Sequence, residues 1–330
     1  MLFILTNSQD ATVSYLIPVL EKSKIPFLRL DTDKLLSRIC ISYRLGKPEI
    51  KIDNRWHSAE DVSSVWYRRP ERLKDDRFDG SAESRYTLSE WTEFIECFFA
   101  HVPKARWINH PSYNTIASRK LEQLTSAITL GFSVPDTLAT QEPDELRQFF
   151  KLHQGQVIVK PLSTGYVERE SDEKDSLIYT NRVTADHLND LSDLSLCPTF
   201  FQQFIEKKHD VRITVVDSDV HAVILRAADK HGGQRCDIRR NNMSDVAYEI
   251  VSLPREVKCQ IQKLMSHYCL RFAAIDMAVS TAGDWYFFEV NPNGQWAWLD
   301  TAAGTNISAS LVRSFAENIS GCDKFQPSPT

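Results

Sequence analysis

Glycine is scarce in this chain. It supplies 11 of 330 residues, about half the share usual in globular proteins. No Gly-x-Gly occurs, so the turn that cradles a dinucleotide pyrophosphate is absent. The only Gly-Lys pair is Gly46-Lys47, and a P-loop would need a further glycine where Ile41 stands. Cysteine gives no framework either. The seven cysteines are odd in number and form no Cys-x-x-Cys, which excludes a regular disulfide scaffold and a zinc ribbon. No apolar run approaches the ~20 residues that span a bilayer. The opening MLFILTNSQD has neither the basic lead nor the long apolar core of a secretory signal, and reads as a buried strand. A reducing, cytoplasmic setting without membrane contact is the expectation. Lys+Arg 39 against Asp+Glu 44 leaves a net charge of −5, so no dominant field for nucleic acid exists and no nucleic-acid partner is expected. The nine histidines show no metal spacing, and no Ser-His-Asp or Cys-His pattern stands out.

What is present is an ordinary globular composition, 42% hydrophobic and 25% charged. The length suits two or three packed units. The pattern reads as consecutive α/β segments. A strand at 2–5, a helix at 13–21 and a strand at 26–30 make a βαβ unit. A strand at 64–67 ends in Arg68-Arg69-Pro70, and a helix follows at 86–100. His110-Pro111 forces an extended step near the start of a new section. A helix at 117–130 stops at Gly131, and strands at 136–139 and 156–159 bracket a helix at 144–152. The stretch 166–180 reads as a hairpin with a charged tip at 168–175. Residues 184–194 read as an amphipathic helix with Asp186, Asp190 and Asp193 beside a leucine stripe. From 199 onward the pattern is strand, hairpin, helix, strand, strand, helix.

The chemistry gathers in this last part. Residues 273–279 and 285–291, joined by turn residues, should pair as an antiparallel hairpin. Alternation puts Asp276 opposite the face of Ile275, Met277 and Val279, and puts Glu289 and Asn291 on one common face. Two carboxylates and an amide pointing into one space are the oxygen set that Mg²⁺ prefers. Asp276 alone would equally suit a solvated outer face. Lys160 ends a strand before the loop Leu162-Ser-Thr-Gly165, where a lysine reaches a phosphate or simply lies on the surface. Lys120 falls in the first turn of its helix, where a cation opposes the dipole. Arg212 and Arg239 each follow an aspartate at Asp-x-Arg spacing. Either could grip phosphoryl or carboxylate oxygens, or close a solvated salt bridge. The strand 200–206 ends in Gln203-Phe204-Ile205-Glu206, able to offer backbone groups to an adenine edge and a carboxylate to a ribose.

The ordered set Lys120, Lys160-Pro, Gln203-Phe-Ile-Glu206, Asp210-x-Arg212, Asp276 and Glu289-x-Asn291 resembles the ATP-grasp superfamily. Within it, the chain is similar to the microviridin-type graspetide synthetases, ligases that macrocyclise ribosomal peptides. The stretches Val65-Trp-Tyr-Arg-Arg-Pro70, Trp107-Ile-Asn-His-Pro111 and Phe288-Glu-Val-Asn-Pro-Asn-Gly-Gln-Trp296 are among those that carry the likeness, the last most specifically. The phosphate-lid loop is poorer in glycine than in many ATP-grasp ligases. The resemblance implies an α/β ATP-grasp fold built of α+β lobes: an N-terminal open α/β domain (1–112), a central lid lobe (113–198) and a C-terminal catalytic lobe (199–330). It implies ATP and Mg²⁺ as cofactors. Lys120 and Lys160 would hold the phosphates, and Gln203, Phe204, Ile205 and Glu206 the adenosine. Asp276, Glu289 and Asn291 would hold the metal. Arg212 would steady an acyl-phosphate, and Arg239 the incoming carboxylate. The substrate would be a ribosomally made precursor peptide with leader and core. An Asp or Glu side chain would be joined to a Thr or Ser hydroxyl or a Lys amine. The leader would dock near Asp186, Asp190, Asp193 and Arg226, and the enzyme would be a homodimer. Two other readings stay open: an ATP-grasp ligase that adds an amino acid such as glutamate, and a non-catalytic nucleotide-binding regulator.

Overall fold

The computed structural model describes residues 1–163, 165–167, 176–228, 234–240 and 245–323, with side chains to residue 319. The charged hairpin tip at 168–175, Gly232, Gly233, Asn241 and Asn242 lie outside these residues.

The chain opens as the βαβ unit its pattern dictates. Leu2–Thr6 runs parallel to Phe27–Asp31 on one side and Ser64–Tyr67 on the other, and Trp107–Ile108 extends the sheet in the same direction. The connecting helix Ala11–Lys22 starts at Asp10, whose side chain accepts from the Thr12 and Val13 amides at 2.9 and 3.3 Å. Both faces of this sheet are covered, which is why Leu2–Thr6 is apolar throughout rather than alternating. One face packs on helix Ala82–Ala100 through Phe98 and Phe99. The other packs Leu2, Ile4 and Trp66 against Ile307, Leu311 and Phe315 of the C-terminal helix Ile307–Asp323.

A three-stranded antiparallel sheet, Ile39–Arg44, Lys47–Ile52 and Arg55–Ser58, is an addition that the sequence pattern did not suggest. Its alternating Ile39, Ile50 and Ile52 are buried in the N-terminal core, and one turn places Asp53 and Asn54 both at positive φ. That is the backbone of a tight hairpin turn, which asparagine and aspartate tolerate without glycine.

The central sheet has the order Asn181–Arg182, Val157–Lys160, Thr199–Gln203, Thr137–Thr140, all antiparallel. Helix Pro143–Leu152 covers one side. Tyr166–Val167 pairs with Ser176–Leu177, so the expected hairpin exists at its base. The helix expected at 184–194 does not form. Two short 3-10 turns, Ala185–Leu188 and Ser192–Leu196, stand there instead. Asp190 accepts the Ser192 amide at 3.0 Å, a local bond that competes with the helical ladder. The leucine stripe is core: Leu188, Leu191 and Leu194 pack beside Phe149 and Val157.

The C-terminal sheet has five antiparallel strands, in the order Ala247–Val251, Asp219–Arg226, Lys207–Val216, Phe272–Ser280, Trp285–Asn291. Helix Arg255–His267 and helix Lys120–Thr129 pack on one face through Ile261, Leu264, Leu124 and Ala127. The helix expected at 117–130 forms over Lys120–Thr129, and a separate short helix, Pro111–Ala117, precedes it with Ser118 and Arg119 as the break. The break sets Lys120 at the first position of the second helix.

Candidate active site

Most of the active-site candidates line a cleft of about 730 Å³ bordered by the central sheet, the C-terminal sheet and Arg69, a volume normal for a small-molecule site. Its floor is set by strand register. Arg212 lies opposite Asp276, and Asp276 lies opposite Glu289, on three neighbouring strands. Directly opposed residues in an antiparallel sheet share a face, so the three form one row. Asn291 is two positions beyond Glu289, opposite Ala274. A bulge between Asp276 and Met277 shifts the register so that Met277 faces Phe287, leaving Phe288 as the extra residue.

Cations close the row from above. Arg212 donates from Nη1 to both Asp276 oxygens at 2.7 and 2.9 Å, and from Nη2 to the Gln295 carbonyl at 3.0 Å. The Lys120 ammonium donates to the Pro161 and Ser163 carbonyls at 2.8 and 3.2 Å and sits 3.8 Å from the Glu289 carboxylate. It thereby ties the loop after Lys160 to the edge strand. Lys160 projects over the rings of Phe200 and Phe288, at 5.0 and 5.8 Å from their centroids. Burial there pushes its ammonium down to about 8, against the upward pull of Glu289. Among the described residues Lys160 has no ion pair, and a cation held on aromatic faces can receive an incoming anion.

Two glycines are required by this packing. A Cβ on Gly294 would stand 2.2 Å from the Ala274 Cβ and 3.0 Å from Arg212 Nη2. Gly165 has φ of +71° and its Cβ would meet Pro161 and the Ile178 carbonyl at 2.7 and 2.9 Å.

The other expected residues divide. Gln203, Phe204 and Ile205 line the cleft. The Phe204 amide, however, donates to the Gln156 carbonyl at 2.8 Å, and its ring lies 3.8 Å from the Arg182 guanidinium. Glu206 is exposed and does not line the cleft; its carbonyl accepts the Thr281 amide. Arg239 lines the cleft but is bound in bidentate fashion to Asp237 at 2.9 and 2.7 Å. Asp186, Asp190, Asp193 and Arg226 are exposed and away from the cleft lining, with Arg226 paired to Glu249 at 2.5 Å.

Several residues were missed from the sequence. Lys207 lines the cleft, pairs with Asp210 at 2.6 Å and lies over Phe288. Burial raises the Asp210 carboxyl, against the pull of Lys207. Gln123 and Asn109, both 2% exposed, hold the backbone around the row. Asn109 donates to the Phe272 and Pro292 carbonyls and accepts the Arg271 and Phe272 amides, all within 3.1 Å. The i, i+3 spacing of Lys120 and Gln123 on one helix was the available signal for Gln123.

The donor set suits a hard divalent cation. Two carboxylates and one amide oxygen converge on the cleft, with no sulfur or imidazole among the described residues that line it except Cys236 and Met277 on its wall. No three His, Cys, Asp or Glu side chains cluster among the described residues, so phosphate or water oxygens must complete any such shell.

Comparison with known proteins agrees with this geometry. The RimK-like ATP-grasp domain matches residues 118–315, and the MvdD pre-ATP grasp domain matches residues 1–114. No curated protein matches the chain in sequence. Among solved structures, the chain is similar to a RiPP-associated ATP-grasp ligase from Chryseobacterium gregarium, in complex with ADP and a leader and core peptide. That match has 26% identity and a TM-score of 0.82, and covers 96% of each chain. Macrocyclase MdnB from Microcystis aeruginosa is similar at 27% identity and TM-score 0.76, over 95% of this chain and 98% of the other. Macrocyclase MdnC from the same organism, bound with precursor peptide MdnA, shares the fold at 24% identity and TM-score 0.81, over 96% and 99%. The first domain match spans more than half of the sequence: the chain belongs to the RimK-like ATP-grasp family.

Proposed function

We propose that this protein is an ATP-dependent peptide macrocyclase acting on a ribosomally made precursor with leader and core. The observation that carries the reading is the row Arg212, Asp276, Glu289, set across three strands beneath Lys120 and Lys160. It offers oxygen ligands to Mg²⁺ and cations to a triphosphate in one cleft. Likeness over nearly the whole chain to a peptide-bound RiPP-associated ligase and a peptide-bound macrocyclase supports the substrate class.

Lys120 and Lys160 would hold the phosphates, and Gln203, Phe204 and Ile205 the adenosine wall, with Glu206 as the proposed ribose contact from the strand end. Asp276, Glu289 and Asn291 would hold Mg²⁺, which supplies charge neutralisation during phosphoryl transfer. A side-chain carboxylate of the peptide takes the γ-phosphoryl group, giving an acyl-phosphate and ADP. A Thr or Ser hydroxyl, or a Lys amine, then displaces inorganic phosphate, closing an ester or amide. Arg212 would face the acyl-phosphate and Arg239 the cleft entrance beside it. No protein nucleophile is needed. Asp186, Asp190 and Asp193, with Arg226, form the proposed leader site, and a homodimer and domain limits at 112 and 198 belong to the same reading. Among the described residues no helix is long and apolar enough to cross a membrane.

Intact mass spectrometry of the precursor tests the reading. Ring closure removes one water per ring, whereas amino-acid addition raises the mass. Glu289→Gln should lower turnover at least about a hundredfold, as expected for a group that stabilises transition-state charge. Full activity in that variant would overturn the metal assignment.

A further inference from the structure

The charged residues of the cleft do not balance. Each of its four carboxylates has a cation partner: Asp276 with Arg212 at 2.7 Å, Glu289 with Lys120 at 3.8 Å, Asp210 with Lys207 at 2.6 Å, and Asp237 with Arg239 at 2.7 Å. Six cations line the same cleft. The two without a carboxylate partner among the described residues are Lys160 and Arg69. Lys160 belongs to the central sheet and sits over Phe200 and Phe288, where the phosphates are placed. Arg69 comes from the N-terminal domain, just past the end of the strand Ser64–Tyr67.

The backbone of Arg69 is fixed while its side chain is left free. Its carbonyl accepts from Asn7 Nδ2 at 2.7 Å, and Pro70 confines it to an extended conformation. The preceding Arg68 is 1% exposed and is stapled to the catalytic lobe. It donates to the Asn293 carbonyl, to Gln295 Oε1 at 2.8 Å, and lies 3.7 Å from Asp10. Burial lowers Arg68 to about 10, with Asp10 opposing that shift, so it stays charged at neutral pH. Arg69 itself is exposed and makes no ion pair or side-chain hydrogen bond among the described residues. An anchored backbone carrying an uncommitted guanidinium at a cleft wall is the arrangement of a carboxylate receptor. The same cleft is lined by Gln295 and by the packed rings of Tyr248 and Trp298, with centroids 5.7 Å apart.

The ligands supply the matching charges. A metal-bound nucleoside triphosphate is a net anion, and the acidic side chain of the peptide is a second anion. Arg239, the residue first expected to receive that side chain, already has both its Nε and Nη2 donors on Asp237. We propose that Arg69 binds the side-chain carboxylate of the peptide substrate, so that the N-terminal domain selects the acyl donor while the two other lobes hold the nucleotide. This rests on the peptide reading above.

The test uses a fluorescein-labelled synthetic peptide whose core alternates Thr with Asp and Glu, and a second with Asn and Gln at the acidic positions. Binding is followed by anisotropy in the presence of ADP and Mg²⁺. The wild-type protein should prefer the acidic peptide by about tenfold or more, as one charge-assisted bidentate contact would give. Arg69→Gln should abolish the preference, Arg69→Lys should retain part of it, and ADP affinity should be the same in all three. A preference that survives in Arg69→Gln, or no preference in the wild type, would overturn the assignment. An Arg69-dependent preference without loss of water from the precursor would instead sustain the receptor and refute the macrocyclase reading.

Discussion

The side-chain amide of Gln123 hydrogen-bonds both backbone groups of Val290. Its Nε2 donates to the Val290 carbonyl at 2.8 Å and its Oε1 accepts the Val290 amide at 3.0 Å. Val290 lies between Glu289 and Asn291 on the sheet's edge strand. Gln123 thus takes the place of a neighbouring strand and fixes the backbone from which both metal candidates project. Gln123→Leu would leave two buried backbone groups unpaired, a cost of about 1–3 kcal/mol for each. Beyond the lower melting temperature, the Mg²⁺ concentration for half-maximal ADP binding should rise. A variant that loses stability with unchanged Mg²⁺ dependence would show a role in folding alone.

Nucleotide affinity should depend on pH through Lys160. Its ammonium titrates at about 8 in the free protein, and phosphate contact would raise that value. The charged form binds, so affinity is full below the free pKa and declines as pH rises through it, by up to about tenfold per unit. Calorimetry with ADP and Mg²⁺ near this pH, in buffers of different ionisation enthalpy, should register net proton uptake. Lys160→Arg stays charged and should flatten the profile; an equally steep profile in that variant would assign the titration elsewhere.

Gly294→Ala should be disruptive although the residue is small. Its Cβ would overlap Ala274 at 2.2 Å, and overpacking of this kind costs about 1–3 kcal/mol. Turnover should fall as well, because Arg212 Nη2 lies 3.0 Å from the same point. Adding Ala274→Gly should recover most of the stability. Denaturant titration of the three variants decides it, and an unperturbed single variant would mean that the segment shifts freely.

Asp186 is exposed on the first 3-10 turn of the central lobe, and Asp190 is exposed in the link before the second. If they form the rim that receives the leader, Asp186→Asn with Asp190→Asn should weaken leader-peptide binding severalfold, more strongly at low salt. Titration of a labelled leader at two salt concentrations measures this. Unchanged affinity removes these residues from the leader site.

The sequence by itself determined the order of the elements and the chemistry they carry. Alternation along 285–291 was enough to put Glu289 and Asn291 on one face, because side chains on a strand repeat every two residues, but the bulge that sets Glu289 directly opposite Asp276 came only with the fold. The scarcity of glycine likewise excluded two backbone cradles and pointed to a grip made from side chains. Local pattern could mislead where side chains bond their own backbone, as at Asp190, and it was silent where charged strands turn on Asp53 and Asn54. Tertiary structure decided which cations are already spent. Arg212 and Arg239 look alike in their Asp-x-Arg settings, yet one pairs across the sheet with Asp276 and the other with its own neighbour Asp237. Arg68 and Arg69 are adjacent in sequence, yet one is buried as a staple between domains and the other is left free at the cleft. Charge pairing depends on distances between segments far apart in the chain, and only the packed fold sets those distances.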